Sequence, residues 1–279
     1  MRSGTSFSAR RATMARLPDI HERFLGTAVL RLSEDARLVG VAAGGSYLTG
    51  TMDEFSDLDL VVAVEPAAIR EVLADRPRIA ASLGPLLSAF TGEHVGEPRV
   101  LICLYGPPLL HVDLKFVALA DAAPRVEDPA VLWERDGRLT AVLRGGTARY
   151  PAPDLQWLED RFWVWVHYGA GKIGRGELFE AHDMLAFLRA RVLGPLMLQT
   201  VSARPNGVRR LEQAAPGWAR EMQATVAQYE PRSTALALRE AAQIYRALRG
   251  AAAVPDLAVR GDAEAAAMAY LDGILARTP

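Results

Sequence analysis

Hydrophobic residues follow different patterns in the two halves of the chain. In the first half, short apolar runs bounded by glycine or proline predict buried strands over residues 38–43, 58–64, 100–104 and 109–119. The last two flank Gly106-Pro107-Pro108, which favours a hairpin. Apolar spacing of three and four predicts a helix from Ile20 to Leu32, capped by Asp19, and further helices are predicted over residues 67–75 and 78–90.

The second half contains long stretches rich in Ala, Leu, Arg and Glu. Helices are predicted over residues 154–170, 176–201, 208–228, 231–250 and 261–276. The character of the chain changes near Tyr150-Pro151-Ala152-Pro153. We therefore predict a domain of strands and helices over residues 18–150 and a helical bundle over residues 151–279.

The N-terminal segment is basic. It contains Arg2, Arg10, Arg11 and Arg16, and no acid precedes Asp19. A targeting presequence has a similar composition, but the segment lacks the apolar core of a secretory signal. We expect residues 1–17 to be a disordered tail, with translation starting at Met1 or at Met14.

Composition narrows the class of protein. The 279 residues are 50% hydrophobic and 23% charged, which is the balance of a globular protein with a sizeable core. A net charge of −1 provides no general attraction for nucleic acids, and no apolar run approaches the ~20 residues of a membrane span. The single cysteine, Cys103, excludes an intrachain disulfide and is expected to be buried. We expect a cytoplasmic protein without nucleic acid or membrane partners.

Two aspartates flank the first residue of the strand predicted over residues 58–64. Because side chains alternate along a strand, Asp57 and Asp59 are expected to point the same way, with Leu58 and Leu60 in the core. Neighbouring carboxylates repel each other and are costly to desolvate. A divalent cation relieves both problems, and magnesium commonly takes one or two carboxylates together with water and phosphate oxygens.

A glycine pair ends the strand predicted over residues 38–43. Gly44 and Gly45 allow the backbone to turn sharply and to approach a ligand closely. Ser46 is expected to cap a short helix, whose free N–H groups attract anions. Only ten residues separate Ser46 from Asp57. The sequence therefore predicts a phosphate site and a metal site joined by a short loop.

This order of residues resembles a known family. Gly45-Ser46, ten residues and then Asp57-Leu58-Asp59 resemble the signature of the polymerase-beta-like nucleotidyltransferase superfamily. In that superfamily a later strand supplies a third carboxylate, and Asp113 in His111-Val112-Asp113-Leu114-Lys115-Phe116 fits that position. The resemblance covers roughly residues 38–120 and is specific because all three parts are present.

The resemblance implies a fold, a site and a cofactor. The fold is an α+β nucleotidyltransferase domain, a mixed sheet flanked by helices, followed by an all-α helical bundle. The residues that it assigns to the nucleotide are Gly45, Ser46 and Ser56, and those that it assigns to the metal and to catalysis are Asp57, Asp59 and Asp113. It further implies Mg²⁺, with two ions during turnover, and a nucleoside triphosphate, expected to be ATP.

Lysine is rare in this chain. Of 32 basic residues only Lys115 and Lys172 are lysines, and each is expected where a compact charge is needed, unless both are placed by chance. Lys115 shares the strand face of Asp113. Ala170-Gly171-Lys172 resembles a motif of antibiotic nucleotidyltransferases with a helical C-terminal domain, whose lysine contacts the triphosphate. The resemblance therefore implies that Lys172 binds nucleotide.

The sequence leaves two candidates for the general base and does not identify the acceptor. Some of those enzymes carry a glutamate just before the lysine as general base, but residues 162–171 contain no carboxylate and one imidazole, His167. Asp113 is therefore the favoured base and His167 the alternative. The stretch from residue 175 to 185 resembles helices of lincosamide- and aminoglycoside-type enzymes. Its acidic residues form either a pocket for a cationic acceptor or a solvated face: Glu177, Glu180 and Asp183.

The combined prediction is an enzyme. It transfers a nucleoside monophosphate to a hydroxyl of a small-molecule acceptor, such as an antibiotic, and releases pyrophosphate. The alternatives are nucleotidylation of a protein, as in antitoxin-like members of the superfamily, and a nucleotide-binding module without turnover. Three intact aspartates disfavour the module, and the long helical half disfavours the antitoxin-like members.

Overall fold

The computed structural model describes residues 17–252 and 254–278. The chain divides between Arg149 and Tyr150 into two compact units. This division falls at the change in composition near residues 150–153. Apart from Leu17, the tail expected over residues 1–17 lies outside the described residues.

The described part of the first unit contains a six-stranded sheet. Its strands are β1 (Leu38–Ala43), β2 (Leu58–Val64), β3 (Leu86–Gly92), β4 (Glu97–Tyr105), β5 (Leu110–Ala118) and β6 (Ala130–Glu134). Its helices are α1 (Asp19–Glu34), α2 (Ser46–Thr49), α3 (Ile69–Ala81) and α4 (Arg138–Arg144). The strand order is β3-β4-β5-β2-β1-β6, with β2 and β5 parallel and the other neighbours antiparallel. The predicted mixed sheet and the β4–β5 hairpin are confirmed.

The two faces of this sheet are buried by different helices. One face packs on α1 and α3 through a core that includes Leu58 and Leu60, as alternation along the strand predicts. The opposite face packs on α4 through a second cluster that includes Ala63 and Leu139. Because Asp59 lies between Leu58 and Leu60, its side chain belongs to the second face.

The prediction of a helix over residues 78–90 is wrong, and so is the break predicted before it. Helix α3 continues through Pro77 to Ala81, and β3 follows. Proline provides no N–H for the carbonyl of Leu73, and the Arg76 side chain donates to that carbonyl instead, with an Nε–O distance of 2.8 Å. Asp19 is the first residue of α1 rather than its cap, a position that Pro18 occupies.

The described part of the second unit is helical. It consists of α5 (Leu155–Gly174), α6 (Leu178–Leu188), α7 (Gly194–Thr200), α8 (Leu211–Ala214), α9 (Pro216–Met222), α10 (Pro231–Ala251) and α11 (Gly261–Leu275). A π-helical turn over Arg189–Leu193 joins α6 to α7. Helix α5 packs against α6, α10 and α11, which confirms the helical C-terminal half. Within the described part of the chain, none of the helices has the length and apolar character needed to cross a bilayer.

Candidate active site

The turn after β1 requires glycine. Gly45 has φ 58° and ψ −136°, and a Cβ at this residue would lie 2.1 Å from Oδ2 of Asp59. Any larger residue would therefore strain the backbone and displace the carboxylate. The amide N–H of Gly44 also donates to the carbonyl oxygen of Asp59 at 2.9 Å. The turn thus lies directly against Asp59, the second residue of β2.

The Ser46 hydroxyl is buried at this turn. The prediction that Ser46 caps α2 is wrong, because Gly45 occupies the cap position and Ser46 begins the helix. Its Oγ has no hydrogen-bond partner among the described residues. A buried hydroxyl without a partner costs about 1–3 kcal/mol. A ligand oxygen at this position would remove that cost.

Asp59 and Asp113 are direct neighbours across the parallel β2–β5 pair. Partners in register point to the same side of a sheet, so the two carboxylates share one face. Asp57 precedes β2 by one residue and, like the other two, is half-buried. Oδ1 of Asp113 also lies 2.9 Å from Nε2 of His111. The metal and catalytic roles of the three aspartates stay predictions.

The donor set fits a cation that arrives with its nucleotide. Among the residues that the structure describes, no group of three or more His, Cys, Asp or Glu side chains is arranged to hold a metal ion. Magnesium is usually bound by one or two carboxylates plus substrate phosphates rather than by an all-protein cage. The Asp59–Asp113 pair and the partnerless Ser46 hydroxyl fit this mode of binding.

Two residues that contact this region were not predicted from the sequence. Glu127 accepts a hydrogen bond from the Gly45 amide at 2.9 Å, across 82 positions of sequence. His21 is fully buried and donates from Nε2 to the carbonyl oxygen of Ser56 at 2.7 Å. His21 lies on the buried face of α1 with Leu25 and Ala28. The position of His21 on an apolar helix face is visible in the sequence and could have indicated a buried, hydrogen-bonded histidine.

Ser56 takes part in the hydrogen bonds of its own loop. Its hydroxyl donates to Oδ1 of Asp53 at 2.9 Å and accepts from the Asp53 amide at 3.0 Å. The nucleotide-binding role predicted for Ser56 stays a prediction.

Lys115 is held by an ion pair on the sheet. Its Nζ lies 2.8 Å from Oε2 of Glu97, whose carboxylate also binds Arg99. The Arg99 hydrogen bond, followed by that of Lys115, lowers the pKa of Glu97 to about 2.

Lys172 lies in an acidic cluster within the helical unit. Its Nζ is 2.7 Å from Glu177 and 3.1 Å from Glu180, and Glu180 also accepts a hydrogen bond from Tyr168. The hydrogen bonds to Glu177 and then Glu180 raise the pKa of Lys172. The hydrogen bond from Lys172 lowers the pKa of Glu177, and those from Tyr168 and Lys172 lower that of Glu180. The two carboxylates are therefore partly neutralised by Lys172, while Asp183 is exposed.

Two other predicted residues have packing partners. The ring of His167 lies 4.6 Å from that of Tyr270, so α5 and α11 contact each other there. Cys103 is buried, as predicted, and burial raises the pKa of its thiol to about 11.

The mixed sheet, the glycine turn and the in-register aspartates together form the arrangement that the sequence resemblance implies. Residues 27–87 match the family described as the nucleotidyltransferase domain. The matched segment includes Gly45, Ser46, Asp57 and Asp59 and ends before Asp113. Over this segment the chain is similar to a nucleotidyltransferase domain, in agreement with the predicted class of enzyme.

Two solved structures are similar to the chain. An aminoglycoside 6-adenyltransferase from Bacillus subtilis is 16% identical, with a TM-score of 0.39 over 90% of this chain and 97% of that one. A nucleotidyltransferase-like protein from Exiguobacterium sibiricum 255-15 is also 16% identical, with a TM-score of 0.37 over 82% and 77%. Comparison with curated proteins gives no match.

Proposed function

We propose that this protein transfers a nucleoside monophosphate from a magnesium-bound nucleoside triphosphate, ATP, to a hydroxyl of a small acceptor. One observation carries the proposal. The Gly45 turn lies beside Asp59, which is in register with Asp113, and the next residue, Ser46, has a buried hydroxyl without a hydrogen-bond partner among the described residues. A donor for phosphate and a pair of carboxylates for a cation thus adjoin each other.

The residues of the sheet unit have separate roles. Ser46 donates to a phosphate oxygen, and the absence of a side chain at Gly45 lets the backbone approach the phosphates. Asp57, Asp59 and Asp113 hold the metal. Magnesium, when bound, offsets negative charge on the attacking and leaving oxygens.

Asp113 is the proposed base. The acceptor oxygen forms a bond to the α-phosphorus, the bond to the bridging oxygen breaks, and pyrophosphate leaves. The hydroxyl proton passes to Asp113, whose carboxylate lies 2.9 Å from His111. Lys172 is proposed to contact the triphosphate, in exchange for part of its contact with Glu177 and Glu180.

The acceptor class rests on sequence resemblance. Residues 170–172 and 175–185 resemble segments of aminoglycoside- and lincosamide-type enzymes, so we propose a hydroxylated, cationic antibiotic as acceptor. Glu177, Glu180 and Asp183 would attract its charge.

The test combines binding with product analysis. Thermal unfolding is followed with each of the four nucleoside triphosphates, with magnesium and with chelator. At a ligand concentration a hundredfold above Kd, the expected gain is about 2.7 kcal/mol, and only with magnesium. Equal stabilisation in chelator would contradict the proposed metal site.

Mass spectrometry then identifies the acceptor. Incubation with aminoglycosides and lincosamides should add one nucleoside monophosphate to an antibiotic. A mass increase on a protein instead of an antibiotic would show that the acceptor is a protein and not a small molecule. If no triphosphate binds or is consumed, the proposed function is wrong.

A further inference from the structure

The carboxylate of Glu127 lies at the glycine turn that, in the proposed function, approaches the phosphates. Its Oε1 accepts from the Gly45 amide at 2.9 Å. The same oxygen lies 2.8 Å from the position of a Cβ on Gly44, and that position is 3.7 Å from Cβ of Asp59. Glu127 and Asp59 therefore approach the glycine turn from the same side.

The sheet fixes how Glu127 reaches the turn. Ala130, the first residue of β6, is paired with Ala43, the last residue of β1. Gly44 follows Ala43 directly, and Glu127 precedes Ala130 by three residues, so the antiparallel pair brings the two segments together. The contact is built into the pairing of β1 with β6.

A carboxylate and a phosphate compete for such an amide. Both offer an anionic oxygen, and hydrogen bonds to anionic acceptors are stronger than those to neutral ones. Two anions on one N–H group repel each other, so they cannot share it. A phosphate can bind the Gly45 amide only after the Glu127 carboxylate has moved away.

We propose that Glu127 is a phosphate mimic that keeps the Gly45 amide occupied until a nucleotide displaces it. This inference rests on the proposed function. It makes Glu127 a determinant of nucleotide affinity, because every bound triphosphate must first break the Glu127–Gly45 hydrogen bond.

Isothermal titration of the full chain with magnesium ATP and with magnesium tripolyphosphate tests this inference. Glu127→Gln keeps the size of the side chain and removes its charge. We expect it to bind both ligands about tenfold more tightly, which corresponds to about 1.4 kcal/mol. Asp128→Asn is the matched control, because the Asp128 side chain is 73% exposed and pairs with Arg125. Its affinity for both ligands should stay within twofold of the unmodified chain.

Two different failures can be told apart. If the unmodified chain binds ATP with magnesium but Glu127→Gln binds equally or more weakly, the inference is wrong and the proposed function stands. If the unmodified chain binds neither ligand, the proposed function fails and the inference fails with it. Glu127→Ala should tighten binding in the same direction, and weaker binding together with a lower Tm would show that Glu127 only supports the turn.

Discussion

Glu159 in the helical unit and Ser46 in the sheet unit are both polar groups with buried atoms, and their surroundings differ. The Glu159 carboxylate accepts hydrogen bonds from three side chains and one backbone amide. The donors are Tyr245 at 2.8 Å, Trp163 at 3.2 Å, Arg249 at 2.9 Å and the amide of Arg260 at 2.9 Å. Burial raises the pKa of Glu159, but these donors outweigh it and the pKa is lowered. The Ser46 hydroxyl has no such partner among the described residues.

This difference is the one expected between a structural polar site and a binding site. A buried carboxylate with all its hydrogen bonds made fixes helices α5 and α10 to the segment before α11. A buried hydroxyl without a partner costs stability that the fold does not recover. Such a cost is typical of positions that a ligand completes.

The largest expected effect is on the sheet unit. Asp59→Asn removes the charge next to Gly45 that we propose as a metal ligand and preserves the shape of the side chain. Turnover should fall about a thousandfold, or about 4 kcal/mol of transition-state stabilisation. Stability should not fall, because a repulsion with Asp113 is also removed. Pyrophosphate release and thermal unfolding measure the two effects, with Asp128→Asn as control. Full turnover of Asp59→Asn would show that Asp59 does not belong to the catalytic site.

The helical unit should respond in the opposite way. Glu159→Gln removes the fully buried partner of Arg249 and leaves Arg249 with Glu264 alone, and the expected loss is about 3 kcal/mol of unfolding free energy. Asp160→Asn, at the next residue, loses a more exposed pair with Arg260 and should lower the stability far less. Urea denaturation checks both variants. Equal losses would mean that burial does not distinguish the two carboxylates.

For Lys172, the contacts in the structure and the sequence resemblance indicate different roles. Its ion pairs with Glu177 and Glu180 are typical of a structural group such as Glu159. The sequence resemblance instead assigns Lys172 to the triphosphate. If it binds phosphate, Lys172→Ala should lower turnover more than tenfold, and Lys172→Arg should recover only part. Steady-state kinetics at saturating magnesium measure this. Unchanged turnover would leave Lys172 with the ion pairs alone.

His21 provides a smaller test. It donates to the carbonyl of Ser56, the residue before Asp57, so His21→Phe keeps the packing and removes the anchor. Loss of one buried hydrogen bond of about 1 kcal/mol should raise the magnesium concentration for half-maximal activity about fivefold. His21→Gln retains an N–H donor and should recover part of this. If magnesium dependence is the same in all three proteins, His21 only packs α1.

Glu97 gives the smallest effect and depends on pH. Its pKa of about 2 lies below the ordinary value of 4.5, so its pairs with Arg99 and Lys115 stabilise the fold fully above pH 4.5. This stability is lost as the pH falls towards 2. The urea midpoint of Glu97→Gln should therefore lie below that of the unmodified protein at pH 6, and the gap should shrink at pH 3. A constant gap would exclude this carboxylate as the cause.

Long-range contacts explain what the sequence could and could not predict. Strands β1, β2 and β5 are apolar enough to be recognised individually, and alternation placed Leu58 and Leu60 in the core. In β3, Leu87 and Phe90 are exposed, and its apolar residues do not alternate with polar ones. Strand β6 is half-buried throughout, and neither it nor α4 was predicted.

The candidate site shows the same limit. The spacing of Gly45, Ser46, Asp57 and Asp59 is local and could be recognised in the sequence. Glu127 reaches Gly45 only because β6 pairs with β1, and no local pattern indicates that pairing. The hydroxyl of Ser46 was predicted as a cap because the sequence does not reveal that Gly45 already occupies the cap position.

The single cysteine of the chain gives it a built-in reporter. Cys103 lies in β4 opposite Val112, next to the residue that carries the third carboxylate. Because Cys103 is only 1% exposed and the pKa of its thiol is raised to about 11, a thiol reagent can modify it only when the sheet opens. Because no second thiol competes, the rate of labelling measures opening of the sheet unit alone. A nucleotide that binds this unit should slow the labelling, without any engineered probe.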